Sequence, residues 1–169
     1  GFGVPFHLYL TKKIDKPDLK GLKIRVTPVY RAFYKALGAD VIQTPPADVY
    51  TALERGTIDG YGWPVWDIKS FGWDKVTKYR VDPGFYQTAS AVIINLDKWK
   101  SLSKAQQDFL NAEGQRLQME VARDAEKENA RYRKEQADAG VQVILFEGDV
   151  AKQYLKISRD AAWEEAYRL

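Results

Sequence analysis

The sequence has no cysteine and a single histidine, His7, among its 169 residues. The absence of cysteine excludes disulfides and thiolate metal sites, and no cluster of histidines or carboxylates takes their place, so we expect neither a metal centre nor a cofactor. No stretch approaches the roughly 18 consecutive apolar residues of a membrane-spanning helix. The 26 basic and 23 acidic residues are interspersed and leave a net charge of only +3, which argues against nucleic acid as a partner.

Signals for catalysis are also scarce. No serine lies in a nucleophile-elbow sequence, and no glycine spacing fits a phosphate-binding loop. Asp59 and Asp67, which flank GYGWPVW, are the candidate acid–base pair. A turn-capping role explains Asp59 better, and Asp67 fits a helix N-cap equally well. An α/β enzyme is therefore a minor hypothesis. The N-terminus, GFGVPFHLYL, has no initiator Met and no signal-peptide pattern, so we expect the chain to be part of a longer polypeptide.

The first half of the chain predicts an α/β fold with mostly parallel strands. Residues Leu22 to Val26 alternate apolar and basic side chains, as in a half-buried strand. A helix is expected to begin at Pro28, with Thr27 as its N-cap, and to end before Gly38. The remaining predicted elements of this half are strands at Phe6–Thr11, Asp40–Gln43 and Ile58–Tyr61 and a helix at Ala47–Arg55.

The second half predicts one very long helix. Ser103 and Gln106 form a capping box, and nothing that breaks a helix follows until Gly140, so about 35 residues span roughly 50 Å. The later part of this helix has almost no apolar stripe, which favours a bridge between domains over a coiled coil. A protein that dimerises through residues 104–139 is the alternative. The flanking predictions are strands at Thr88–Asn95 and Val141–Phe146 and a final helix capped by Asp149.

Arg25 is the residue with the clearest functional meaning. It points away from Ile24 and Val26 at the carboxyl end of a predicted strand, where open α/β sheets bind ligands. The helix expected at Pro28 would add free backbone N–H groups and a partial positive charge. A guanidinium beside a helix N-terminus suits a planar carboxylate. A surface arginine paired with a nearby acid explains the pattern equally well.

Three runs of the chain, PDLKGLKIRV, PVYRAFYKALGA and DVYTALERGTIDGYGWP, are similar to the solute-binding proteins of tripartite ATP-independent periplasmic (TRAP) transporters, the DctP family. The later run INLDKWKSLSKAQQDFL and the long helix match the same family. The resemblance covers nearly the whole chain but only about the C-terminal half of a typical member, without the first α/β lobe.

This resemblance implies an α/β, periplasmic-binding-protein-like architecture of two lobes around a cleft. Residues 1–87 would form most of the second lobe with its carboxylate site. Residues 88–139 would supply a strand that crosses to the first lobe and the long helix that spans both. Residues 140–169 would return as a strand and a helix that pack on the second lobe. The implied function is capture of a small organic acid in the periplasm, without catalysis, and its delivery to membrane permease subunits. A ligand sensor of the same fold, feeding signalling, is the alternative.

The resemblance also assigns site residues. The family's carboxylate-binding arginine corresponds to Arg25. Two departures reshape the pocket, because Trp63 stands where many members carry asparagine and Pro46 where sialic-acid-type members carry phenylalanine. An indole in place of an amide predicts a keto, hydroxy or aromatic acid with a modest apolar body rather than a polyhydroxylated sugar acid. Further expected ligand-binding residues are Tyr61, His7 and Phe85, with a plain surface histidine as the alternative for His7.

Overall fold

The computed structural model describes residues 4–88 and 91–168. These residues form a six-stranded sheet with helices packed against it. The strands are β1 (Val4–Leu10), β2 (Lys23–Val26), β3 (Asp40–Gln43), β4 (Gly60–Pro64), β5 (Tyr79–Thr88) and β6 (Gln142–Leu145). The helices are α1 (Arg31–Ala36), α2 (Val49–Glu54), α3 (Leu96–Ser101), α4 (Lys104–Asp138) and α5 (Gly148–Ala166). Short 3₁₀ turns occupy Pro28–Tyr30, Pro46–Asp48 and Trp73–Lys75.

The sheet is mixed, with the strand order β3-β2-β4-β1-β5-β6. Strand β2 pairs in parallel with β3 and with β4, and β5 pairs in parallel with β6. Strand β1 runs antiparallel between β4 and β5. The predicted order of strand, helix, strand, helix and strand over residues 22–61 is confirmed, and with it the α/β class.

Two hydrophobic cores lie among these elements. The larger core joins apolar side chains of β1 and β2, such as Leu8 and Ile24, to Phe33 of α1 and Tyr154 of α5. The smaller core joins tyrosines of β1 and β4 to the helix α2 and to the turn at Trp73. Successive strand residues face opposite sides of a sheet. Arg25 therefore lies on the face opposite to Ile24, which belongs to the larger core.

The helix expected to begin at Pro28 begins later. Residues Pro28–Tyr30 form a 3₁₀ turn, the side chain of Thr27 makes no capping hydrogen bond, and α1 starts only at Arg31. Tyr30 interrupts the helical geometry with φ −124° and ψ 17° while its ring enters the core. The six residues of α1 are too few to supply the helix-terminus charge that the sequence suggested.

The strand predicted at Thr88–Asn95 is not formed at residues 91–95. Strand β5 ends at Thr88, residues 89 and 90 lie outside the described part of the chain, and residues 91–95 have no regular structure. A strand needs a neighbour for its N–H and C=O groups, and no described strand pairs with this segment. Its apolar residues are consequently exposed to solvent, Val92 to 87% and Ile93 to 90%.

The long helix is confirmed. Helix α4 has 35 residues, and both bonds of the capping box between Ser103 and Gln106 are present. In its later part, exposed ion pairs between residues three or four apart, such as Arg131 with Glu135 at 2.6 Å, replace an apolar stripe. Asp149 does not cap α5, because the helix begins at Gly148 and its N-cap is Glu147. Among the described residues, no helix combines the length and the apolar character needed to cross a membrane.

Candidate functional site

Arg25 is almost completely buried, with 2% of its surface exposed. Its Nε donates to the carbonyl oxygen of Thr44 at 3.0 Å, and its Nη1 lies 3.4 Å from the hydroxyl of Tyr30. The guanidinium carbon stands 5.4 Å from the ring centre of Trp63, as in a cation–π contact. No carboxylate in the described part of the chain forms an ion pair with it. The alternative of a surface arginine paired with an acid is therefore wrong.

Parallel pairing brings these groups together. Arg25 of β2 is in register with Tyr61 of β4, and Trp63 follows on the same face of β4 because side chains alternate along a strand. Both strands run toward the same edge of the sheet, so Arg25 and Trp63 meet near that edge. The loop after β3 passes beside them and contributes the carbonyl oxygen of Thr44.

Trp63 is held as a partly exposed wall beside the guanidinium. Its ring meets Trp73 nearly edge-on at 4.8 Å and 72°, and Phe71 at 5.6 Å and 87°. Its Nε1 is buried and has no hydrogen-bond partner among the described residues. The structure thus brings together Arg25 and Trp63, the two residues on which the predicted site depends most.

Two other predicted ligand-binding residues belong to the cores. Tyr61 is fully buried, stacks on Tyr9 at 5.0 Å, and bonds through its hydroxyl to Thr77 Oγ1 at 2.8 Å. Phe85 stacks on Phe33 at 4.6 Å, in the larger core. The chain alone accounts for both side chains by packing, so neither is carried into the site proposed below.

His7 is buried rather than on the surface. Its Nδ1 lies 2.8 Å from Asp82 Oδ1 and 3.0 Å from the carbonyl oxygen of Val81, so Nδ1 carries the proton and donates to both. The surface alternative is wrong because the register of β1 places His7 inside, next to β5. Its Nε2 is buried and unpartnered in the described structure.

Asp82 is the centre of a buried polar network. Besides His7, it accepts two hydrogen bonds from Arg80, both at 3.1 Å, and one from Arg133 of α4 at 3.3 Å. Burial alone would raise the pKa of Asp82, but the hydrogen bonds from His7 and Arg80 hold that pKa well below its usual range. The network keeps an ionised carboxylate between β1, β5 and α4.

Gln136 extends this network to β1 and to the loop after β4. Its Oε1 accepts from Arg80 Nη1 at 2.8 Å, while its Nε2 donates to the Tyr9 hydroxyl at 3.1 Å and to the Val65 carbonyl at 2.7 Å. This glutamine is buried even though α4 is otherwise a surface helix. It fixes the end of α4 to the sheet.

The loop after β4 makes a second set of contacts with α4, besides those of Gln136. Trp66 donates through Nε1 to Asn129 Oδ1 at 2.7 Å and stacks on Tyr132 at 5.9 Å. The hydroxyl of Tyr132 donates to Asp67 Oδ1 at 3.0 Å. Asp67 has a left-handed φ of 67° and starts a turn rather than a helix, so its predicted N-cap role is wrong. The pocket wall at Trp63 is thus three residues from the attachment of α4.

The candidate acid–base pair does not form. Asp59 precedes β4 and accepts hydrogen bonds from the backbone N of Lys23 at 3.0 Å and from Lys12 Nζ at 2.7 Å. Burial alone would raise the pKa of Asp59, but these bonds hold that pKa below its usual value. Asp67 follows β4, so the whole strand separates the two carboxylates. The predicted turn-capping role of Asp59 is wrong, because its carboxylate bonds to β2 and to the chain after β1 rather than to a backbone N–H of its own turn. The described residues include no group of three or more histidines and carboxylates that could hold a metal ion.

Sequence reasoning missed two residues of this site, Tyr30 and Thr44. Tyr30 donates through its hydroxyl to the carbonyl oxygen of Gly62 at 2.8 Å, and burial raises the pKa of that hydroxyl. The one signal for Tyr30 in the sequence is an aromatic residue four positions after the end of the strand that carries Arg25. Thr44 contributes only a backbone oxygen, which no side-chain pattern reveals.

Comparisons with known proteins identify the family and the fold. A sequence model described as bacterial extracellular solute-binding protein, family 7 (DctP), matches residues 7–168. The monocarboxylate 2-oxoacid-binding periplasmic protein all3028 of Nostoc sp. (strain PCC 7120) is 25% identical over 162 residues, which cover 89% of this chain and 44% of the relative. The 2,3-diketo-L-gulonate-binding periplasmic protein YiaO of Escherichia coli (strain K12) is 34% identical over 132 residues, which cover 75% of this chain and 39% of the relative.

A solved structure has the same fold. It is a TRAP solute-binding protein from an unidentified marine microbe, specific for aromatic acid ligands and in complex with metahydroxyphenylacetate. It matches this chain with a TM-score of 0.78 and 25% identity, over 94% of this chain and 52% of the other. The chain therefore spans about half the length, or somewhat less, of the proteins that it matches.

Proposed function

The chain belongs to bacterial extracellular solute-binding protein family 7, the DctP family of TRAP transporters, and on that premise we propose that it captures a small organic acid through Arg25 and delivers it to the membrane subunits of its transporter. As a member of this family the protein is periplasmic, the compartment that the names of both curated relatives give. The family is one of transport binding proteins, and the proposal includes no catalytic step.

The observation that carries the proposal is the buried guanidinium of Arg25 without an acidic partner. A buried charge that lacks a counter-ion is costly, on the order of several kcal/mol. An anion that binds beside Arg25 recovers much of that cost, and a carboxylate matches the planar fork of the guanidinium. Arg25 is thereby a receiver for a ligand rather than part of a structural ion pair.

Trp63 defines the class of acid. A partly exposed indole next to the guanidinium offers a flat apolar wall, on which an aliphatic or aromatic body packs better than a ring of hydroxyl groups. We therefore propose a keto, hydroxy or aromatic acid. The names of the 2-oxoacid-binding relative and of the aromatic-acid-binding structure support this choice, whereas the diketogulonate-binding relative argues for including a sugar acid in any test.

The division into two lobes is part of the proposal. Residues 1–87 form most of the second lobe, residues 88–139 the crossing segment and the interlobe helix, and residues 140–169 the part that returns to the second lobe. Its support is the apolar surface left open on the crossing segment and on the first half of α4, which the other lobe would cover. The most exposed residues of that surface are Val92, Ile93, Leu96, Phe109, Leu117 and Met119.

The test is a ligand screen on the full-length protein after removal of any co-purified acid. The panel contains pyruvate, 2-oxobutyrate, lactate, 3-hydroxybenzoate and D-glucuronate, and the melting temperature is measured with each. We expect the melting temperature to rise with at least one of the first four acids. A rise with D-glucuronate alone would contradict the proposed ligand class. Uptake of the bound acid by cells with and without the membrane subunits then distinguishes transport from sensing.

A further inference from the structure

Tyr30 lies where it can control the orientation of Arg25. Its side chain is 4% exposed, and its hydroxyl stands between the carbonyl oxygen of Gly62, at 2.8 Å, and Nη1 of Arg25, at 3.4 Å. We propose that Tyr30 is the residue that positions the guanidinium for the incoming carboxylate. This inference rests on the proposed function, in which Arg25 is the anchor.

The direction of the hydrogen bonds supports this role. A tyrosine hydroxyl has one proton, and because that proton is donated to the Gly62 carbonyl, the oxygen lone pairs face Nη1 of Arg25 and the hydrogen-bonding groups of Thr27. On the other side, Nε of Arg25 donates to the carbonyl oxygen of Thr44 at 3.0 Å. Two acceptors on two different nitrogens fix the plane of the guanidinium.

The same bonds determine how a ligand approaches. Because Nε is engaged by Thr44, a carboxylate cannot use the side of the fork formed by Nε and Nη2. The end formed by Nη1 and Nη2 remains, and Nη2 has no hydrogen bond within the described structure. Thr44 therefore selects an end-on, two-point contact with a planar carboxylate beside the indole of Trp63. Tyr30 accepts one of the two protons of Nη1 and holds that end of the guanidinium in place, while the second proton of Nη1 stays available to the ligand.

Tyr30 is itself rigidly held. Its ring packs on Phe6 at 5.9 Å, on Tyr34 at 5.7 Å and on Phe85 at 5.7 Å. A Cβ at position 62 would lie only 2.8 Å from its ring, so glycine is required there for the close approach. Since Gly62 directly precedes Trp63, the hydroxyl of Tyr30 also couples the anchor to the wall of the site.

The test compares Tyr30→Phe with Tyr34→Phe in the full-length protein. Tyr34 is a matched control, because it lies in the same aromatic cluster and its buried hydroxyl has no partner among the described residues. The first measurement needs no ligand: NMR of the arginine side chains reports how fast the Nη groups of Arg25 rotate. The second measurement is the Kd of each of the five panel acids, by calorimetry.

We expect Tyr30→Phe to accelerate the rotation at Arg25 several-fold and to weaken binding of the acid that binds best by about fivefold, the effect of losing one ordinary hydrogen bond. Tyr34→Phe should leave both unchanged within about twofold. An unchanged Arg25 spectrum in Tyr30→Phe overturns the inference, as does an unchanged Kd for every acid that binds the wild type. If Arg25→Met also binds these acids normally, the proposed function fails, while the NMR comparison still decides the role of Tyr30.

Discussion

Replacing Asp82 with asparagine should destabilise the protein by about 3 kcal/mol, the lower end of the range for breaking a buried ion pair. Asp82 is the carboxylate that His7, Arg80 and Arg133 share, at 2.8, 3.1 and 3.3 Å. The side chains of His7 and Arg80 are nearly inaccessible, so water solvates these two groups poorly when the carboxylate is lost. The lower end applies because the amide oxygen of asparagine still accepts one hydrogen bond.

The assay is urea unfolding of the full-length protein between pH 7 and pH 3. The pKa of Asp82 is depressed in the folded state, so its contribution is complete above about pH 5 and is lost as the pH falls through the folded pKa. The difference between wild type and Asp82→Asn should therefore narrow on acidification. Asp160→Asn is the control, because its ion pairs on α5 are exposed and screened by solvent. A loss in Asp82→Asn no larger than in the control, or a difference that does not change with pH, would refute the reasoning.

Three further changes test other parts of the fold by urea unfolding. Gly62→Ala should lower the free energy of unfolding by about 1–3 kcal/mol, since its methyl group would lie 2.8 Å from a buried tyrosine. Gly114→Ala, whose methyl group would meet nothing within 4 Å on the surface of α4, should raise it by about 0.5–1 kcal/mol. Equal effects of the two changes would contradict the packing described. Gln136→Met should lower the free energy of unfolding by about 2–4 kcal/mol, because it leaves Arg80 and two other buried polar groups without their glutamine partner. A loss of stability below about 1 kcal/mol would show that water enters the network. Ser103→Ala should cost about 1 kcal/mol by removing the N-cap of α4, and an unchanged stability would mean that the first turns of α4 are frayed.

Local signals predicted the elements that depend on local chemistry. Strand β2 followed from alternation, to within one residue of its start, and the full length of α4 followed from a capping box and from a glycine at the end of the helix. The strand expected at Thr88–Asn95 failed for the opposite reason, because an apolar run becomes a strand only beside a neighbour. Whether residues 91–95 pair with the other lobe stays a prediction.

The site was predictable only in part. Arg25 was recognised because its strand alternates and because the run around it resembles a known family. The hydrogen bonds of Arg25 with Tyr30 and Thr44 were not predicted, since these contacts depend on the turn after β2 and on the loop after β3. His7 and Asp82 are 75 residues apart and meet through pairing of β1 with β5, which no local pattern reveals.

The central claim is that Arg25 anchors a carboxylate, and calorimetry on the full-length protein tests it most directly. Arg25→Met removes the charge at similar length, and Arg31→Met removes an exposed arginine six residues away as the control. For the panel acid that binds the wild type best, we predict that Arg25→Met raises Kd at least about 30-fold, as expected for a loss of 2 kcal/mol or more. Arg31→Met should change Kd by less than about twofold. An Arg25→Met protein that binds the acid within about threefold of the wild type would contradict the account.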